Sequence, residues 1–172
     1  MSLLPIRVFP DPVLTTPTTE VTEIDGALAS LCDSMIETMY DAPGVGLAAN
    51  QVGVSLQVAV IDVSSRDEKG PKRPLVVLIN PELLSQEGSV VAEEGCLSIP
   101  DFSENVKRAA RVKVRALDRE GKPFELEADG LMAKALQHEI DHLNGILFVD
   151  RLSPLKKSIF RRKIKKALAE TA

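Results

Sequence analysis

The chain has no tryptophan, one tyrosine and five phenylalanines in 172 residues, so aromatic rings make up only 3% of it. With rings this scarce, the core must rest on Leu, Ile, Val and Ala. Its start, MSLLPIRVFPDP, lacks the uninterrupted apolar run of a secretory leader, because Pro5, Arg7 and Pro10 break it. No stretch reaches the length of a transmembrane helix. A cytoplasmic protein without a membrane partner is the expectation. Only two cysteines occur, Cys32 and Cys96, which allow at most one disulfide; without a leader, both are expected as reduced thiols. There is no internal repeat and no low-complexity linker. The formal net charge of -4 excludes a globally basic protein that coats nucleic acid, and no DNA partner is expected.

What is present fits one globular domain, since 44% hydrophobic residues over this length can bury a substantial core. Ile24, Leu28, Leu31, Met35, Ile36 and Met39 recur at helical spacing, with Asp25 placed as a cap. LQVAVIDV and PLVVLIN are β-branched runs expected as buried strands, joined by the polar loop SSRDEKGPKRP. VKVRAL and PFELEA flank DREGK and predict a hairpin. Gly130 to Leu143 is again helical, with Gly145 placed to stop it. Pro154 to Ala169 predicts a last helix with Leu155, Ile159, Ile164 and Leu168 as its apolar positions. Charge is uneven along the chain. Residues 153–172 carry seven Lys or Arg against one Glu, so the preceding 152 residues hold a net charge of -10.

Histidine is the other scarcity. The only two, His138 and His142, stand in QHEIDH, residues 137–142. On a helix, positions i and i+4 share a face and lie roughly 6 Å apart, so both imidazoles can reach one ion. Glu139 then sits beside that ion as the general base of an HExxH site. Such a site needs a third protein ligand and an open position for water. Downstream, Phe148 occupies the place of the third histidine in the longer HExxH pattern, Glu170 lies in the basic tail, and Asp150 follows the helix end. Upstream, EEGCLSIP offers Cys96 beside Gly95, in polar company unlike a core position, and Cys96 is the better third ligand. Cys32, by contrast, is expected as a small buried hydrophobe on the first helix. One thiolate with two imidazoles suits divalent iron, zinc, nickel or cobalt. The glycine-rich PGVGLAANQ lacks the lysine and spacing of a P-loop, so phosphate binding is a weak reading.

GVGLAANQ (44–51), EGCLS (94–98) and HEIDH (138–142) resemble, in order and spacing, the three motifs of the peptide deformylases. The resemblance runs from VFPDPVL to RLSPLKK, nearly the whole chain. It implies an α+β fold, with mixed and mainly antiparallel strands around the HExxH helix and further helices at both ends. Residues 1–152 would form the catalytic domain and 153–172 a basic helical extension. The implied reaction removes the N-formyl group from the formyl-methionine of nascent polypeptides and releases formate.

Carried over residue by residue, Cys96, His138 and His142 would hold the metal, most often Fe2+ in the family, with Ni2+, Co2+ or Zn2+ as alternatives. Glu139 would be the base, and the Leu97 N–H with the Gln51 side-chain amide would stabilise the oxyanion. Gly44, Val45 and Gly46 would pair with the peptide backbone as an added strand. Glu94, Val45, Leu131, Lys134 and Ala135 would line the substrate site with His138. Ala92, Lys134 and Ala135 stand where relatives often carry bulkier apolar residues, and Ser103 where some have arginine. Glu94 and Arg108 are expected to pair and orient the Cys96 segment, a contact worth little if exposed. Lys156, Lys157, Arg161, Arg162, Lys163, Lys165 and Lys166 would meet ribosomal RNA near the tunnel exit, and turnover of a short free peptide should need none of them. A monomer is expected. Two rival readings are a zinc endopeptidase, which should show a downstream third ligand, and a non-catalytic structural metal site, which should show four Cys or His.

Overall fold

The structure is a computed structural model and describes residues 2–64, 66 and 74–171. Most of the expected loop SSRDEKGPKRP lies outside the described residues. The first helix, α1 (Gly26–Asp41), begins where the sequence places its cap: the Asp25 carboxylate accepts from the Leu28 N–H at 2.9 Å. Seven strands follow: β1 (Gly46–Ala48), β2 (Val58–Ile61), β3 (Val76–Glu87), β4 (Val90–Cys96), β5 (Ile99–Arg108), β6 (Arg111–Leu117) and β7 (Pro123–Asp129). Then come α2 (Gly130–Leu143) and α3 (Pro154–Thr171). One sheet has the order β1-β2-β3-β6-β7, and β4 with β5 forms a separate hairpin. All the strand pairings are antiparallel, with one isolated parallel bridge between Thr19 and Leu56.

Alternation along the strands assigns the two faces of the five-stranded sheet. Val58, Val60 and Ile79 pack with Leu28, Cys32, Met35 and Met39 of α1. On the other face, Ile61, Leu78, Val112 and Val114 pack with Met132, Leu136 and Ile140 of α2. Helices cover both faces, which is why every residue of β2 is buried and its sequence reads as a continuous apolar run. Cys32 is 1% exposed in this core, as a small hydrophobe.

β3 runs further than the PLVVLIN stretch predicts. Its pairing with β6 is interrupted between Ile79 and Glu82, at Pro81, which has no N–H to give to the ladder. Asn80 turns there with φ 52°, and its side chain bonds both the N–H and the carbonyl of Val21 at 2.8 and 2.9 Å. The bulge lets the strand continue to Glu87.

The N-terminal arm, the β4–β5 hairpin and the end of the chain share a third core of Leu14, Ile99, Val106, Leu147, Phe148, Val149, Leu152 and Phe160. Here the expected apolar face of α3 needs correction. Leu155, Ile159 and Leu168 are 68%, 37% and 46% exposed, while Phe160 is 5% exposed and Ile164 is half-buried. The contacting edge is set by Phe160 and Ile164, four residues apart, and Phe160 is the ring that reaches the other aromatics. Among the described residues no helix is long and apolar enough to cross a membrane.

Candidate metal centre and cleft

α2 carries Leu131, Lys134, Ala135 and His138 on one stripe, at the i, i+3, i+4, i+7 spacing of a helix face. That stripe meets the end of β4 and the segment entering β1. Together they line a cleft of about 680 Å³, whose walls include Gly44, Val45, Gly46, Gln51, Glu94, Cys96, Leu97 and Glu139. The cleft residues expected from the sequence are therefore gathered in one place, with two exceptions among the lining: His142, which is fully buried, and Ala92. Ala92 is not among the lining residues: it lies four residues from Cys96 along an extended strand, roughly 13 Å away at the rise of a β-strand. Ser103 does line the cleft and donates to Glu93 at 3.2 Å.

Cys96 Sγ lies 3.2 Å from His142 Nε2, and the two Nε2 atoms of His142 and His138 lie 3.1 Å apart. The ligand atoms of all three residues fall within 4.8 Å of one another. Ligand distances of about 2.0–2.3 Å around a tetrahedral ion would put such atoms roughly 3.3–3.6 Å apart, so the set fits a single divalent cation. The His138 ring is oriented from behind, its Nδ1 donating to Glu94 at 3.0 Å and leaving Nε2 free to face the other two donors. Burial and the neighbouring His138 push the His142 pKa well below the ordinary imidazole range, which keeps the neutral form that binds metal. Burial would also depress His138, but hydrogen bonding to Cys96 and Glu94 outweighs it and holds the pKa well above that range. A positive charge is thus favoured where thiol and imidazoles converge, as a divalent ion would supply.

Behind this cluster, the Glu94–Arg108 pair is buried, not exposed as sequence alone allows. The side chains are 9% and 3% accessible, and the guanidinium grips both carboxylate oxygens at 2.8 and 2.9 Å. Burial would raise the Glu94 pKa, yet Arg108 and His138 hold it down at about 2. Arg108 also reaches Asp141 at 2.6 Å, and Asp141 accepts two further bonds from Arg151 at 2.7 and 3.0 Å. Asp141 and Arg151 escape sequence reading. Asp141 lies inside HEIDH, but nothing local marks its partners, which are 33 and 10 residues away.

Gln51 is 2% exposed, not a solvated loop glutamine. Its Oε1 accepts from the Ala48 N–H at 2.9 Å, which fixes the amide so that Nε2 points to Ser98 Oγ at 3.1 Å and Cys96 Sγ at 3.6 Å. Glu139 is 4% exposed, and its Oε1 has no hydrogen-bond partner among the described residues. Burial is the main cause that raises its pKa to about 7. Phe148, at the place a third histidine would take, is buried and stacks on His138 at 6.3 Å.

Residues 3–158 match the family model described as Polypeptide deformylase. A peptide deformylase of Alkalilimnicola ehrlichii is 54% identical over 170 residues, covering 99% of this chain and 93% of that protein. The crystal structure of a peptide deformylase from Legionella pneumophila matches with TM-score 0.88 and 47% identity, covering 98% of this chain and 97% of its own. That of Synechococcus elongatus, in complex with actinonin, matches with TM-score 0.82 and 44% identity over 89% of this chain and 83% of its own.

Proposed function

The chain belongs to the peptide deformylase family, whose members are metal-dependent hydrolases that remove N-formyl groups from new polypeptides, and from that premise we propose which of its residues do the work. Cys96, His138 and His142 hold one divalent ion, with Fe2+ the first choice for a thiolate and two imidazoles in this family. When bound, the ion supplies a Lewis acid that acidifies a water and polarises the formyl oxygen. Glu139 would take a proton from the attacking water as its oxygen bonds to the formyl carbon, and would deliver that proton to the amine as the C–N bond of the formamide breaks, leaving formate and a free amino terminus. The Gln51 amide and the Leu97 N–H donate to the oxygen on which charge develops.

Glu94, clamped by Arg108, keeps His138 in the tautomer that presents Nε2. Gly44, Val45 and Gly46 pair with the peptide backbone as an edge strand, a mode that reads little of the sequence it holds. Leu131, Lys134 and Ala135 on α2 surround the first side chain. The Lys134 stem lines the cleft while its ammonium reaches water.

Residues 1–152 form the catalytic domain, and 153–172 dock the enzyme on ribosomal RNA through the basic helix. The protein works as a cytoplasmic monomer.

The observation that supports this reading most is the convergence of one thiol and two imidazoles beside a cleft whose wall includes Glu139, a buried carboxylate with its Oε1 unpartnered among the described residues. The test is formate release from formyl-Met-Ala-Ser by protein loaded with Fe2+ or Ni2+, alongside elemental analysis. Wild type should bind one equivalent and turn over. Cys96→Ala should lose tight metal binding, and Cys32→Ser should keep both metal and activity. No formate from the metal-loaded wild type, or full metal occupancy in Cys96→Ala, would overturn the assignment.

A further inference from the structure

Rings are scarce in this chain, yet four of its five phenylalanines meet in one place. Phe160 of α3 lies 5.4 Å from Phe9 and 4.9 Å from Phe102 of β5, measured between ring centroids. Phe102 lies 6.1 Å from Phe148, which is itself 6.3 Å from the His138 ring. Lys163 Nζ sits 5.3 Å above the centre of the Phe102 ring, a cation–π contact. Two residues along β5, Glu104 pairs with Lys156 at 3.2 Å. The last helix is therefore held to β5 by a buried ring, a cation over a ring and an ion pair.

β5 is also a wall of the cleft. Ile99, Asp101, Phe102 and Ser103 all line it, together with Gly44, Gly46, Cys96 and His138. Phe102 thus belongs to two environments, with the cleft on one side and α3 on the other. Half-buried rings hold a fixed position only when something packs behind them, and here that backing is Phe160 and Lys163.

We infer that Phe102 is a substrate-positioning residue for the part of the peptide beyond its first methionine, and that α3 acts on the cleft by fixing Phe102 through Phe160 and Lys163. This rests on the deformylase reading and adds a role for the last helix that the basic composition of the tail does not suggest. It also revises the expectation that a short peptide is turned over without regard to the tail.

The experiment compares kcat and KM for formyl-Met-Ala-Ser and for formyl-Met amide, which ends before the Phe102 region, with metal content and thermal melts recorded for each variant. Phe102→Ala and Phe160→Ala should raise KM for the tripeptide roughly three- to tenfold, the scale of one aromatic contact. Lys163→Ala should raise it about two- to fivefold. In each variant kcat, metal content and the constants for formyl-Met amide should stay as in wild type, whereas mere loss of folded enzyme would lower kcat at constant KM for both substrates. Phe160→Leu, which refills the site, should recover most of the loss, and Ser158→Ala on the exposed face should change nothing. If Phe160→Ala proves too unstable to purify, Phe102→Ala and exposed Lys163→Ala decide the matter. An inactive wild type would sink the deformylase reading. An active wild type with unchanged tripeptide KM in Phe102→Ala and Lys163→Ala would sink this inference alone.

Discussion

Gly46 and Glu139 touch: a Cβ placed on Gly46 would lie 2.5 Å from Glu139 Oε2 and 3.0 Å from its carboxyl carbon. The backbone of Gly46 needs no glycine for its own conformation, since its φ is not among the positive ones. What requires the missing side chain is the Glu139 carboxylate, which rests against the Cα. Sequence reading assigns Gly46 to the approach of the substrate backbone, and the structure adds a second reason located on another element.

Gly46→Ala should therefore behave as an indirect Glu139 variant. Displacing the carboxylate by about 1 Å is expected to lower kcat by roughly 10²-fold, the usual cost of such a misplacement. Bound metal should remain at one equivalent, because the three nearest atoms to the new methyl all belong to Glu139 and none to Cys96, His138 or His142. Glu139→Gln should show the same combination of retained metal and lost turnover. Wild-type kcat in Gly46→Ala, measured as formate release, would show that Glu139 relaxes without consequence.

The HExxH spacing, the odd placement of Cys96 and the helix and strand periodicities were legible because each is a local pattern. The buried network around Arg108 was not. Its members, Glu94, Arg108, Asp141 and Arg151, come from four elements, and an arginine in a sequence carries no sign of how deeply it will lie. The same limit explains α3. Leu155, Ile159 and Leu168 have helical spacing, but which side of a helix is covered depends on where the rings of Phe9 and Phe102 stand, and those are 50 or more residues away along the chain.

Arg108 is expected to be among the costliest residues to replace. Arg108→Leu leaves Glu94 and Asp141 as buried carboxylates without their shared cation, which should cost about 3–5 kcal/mol. His138 would also lose the clamp on its carboxylate partner, and metal affinity should fall roughly 10- to 100-fold. Urea unfolding of the metal-loaded protein and competition with a chelator measure the two effects. A loss below about 1 kcal/mol would mean that Arg151 alone suffices for Asp141 and that Glu94 needs no partner.

Tyr40 gives a pH prediction with a clean readout, because it is the only tyrosine and tryptophan is absent. Its hydroxyl donates to Asp62, and that bond is the main cause that pushes its pKa up to about 12. The folded pKa lies above the unfolded value of about 10, so the contribution to stability is complete below pH 10 and is lost as pH rises through about 12. Titration of the phenolate absorbance should show the raised value in wild type. Asp62→Asn should return it toward the ordinary one, and an unchanged titration in that variant would break the assignment.

The basic helix is not a uniform polycation. Lys156 is engaged with Glu104, and Lys163, though exposed, lies over Phe102; Arg161, Arg162, Lys165 and Lys166 are also exposed. If α3 meets ribosomal RNA, those four should carry the electrostatic part of binding, since each phosphate contact releases a counterion. Replacing these four with Gln should weaken ribosome co-sedimentation at low salt and flatten the dependence of log K on log salt by about three to four. Replacing Lys156 alone should change that slope by less than one contact's worth, because its charge is already met within the protein. Hydrolysis of a free formyl tripeptide should be unaffected by the fourfold variant, which keeps Phe160 and Lys163. Equal co-sedimentation and an equal salt slope for wild type and the fourfold variant would mean that the charged face of α3 serves only to be solvated.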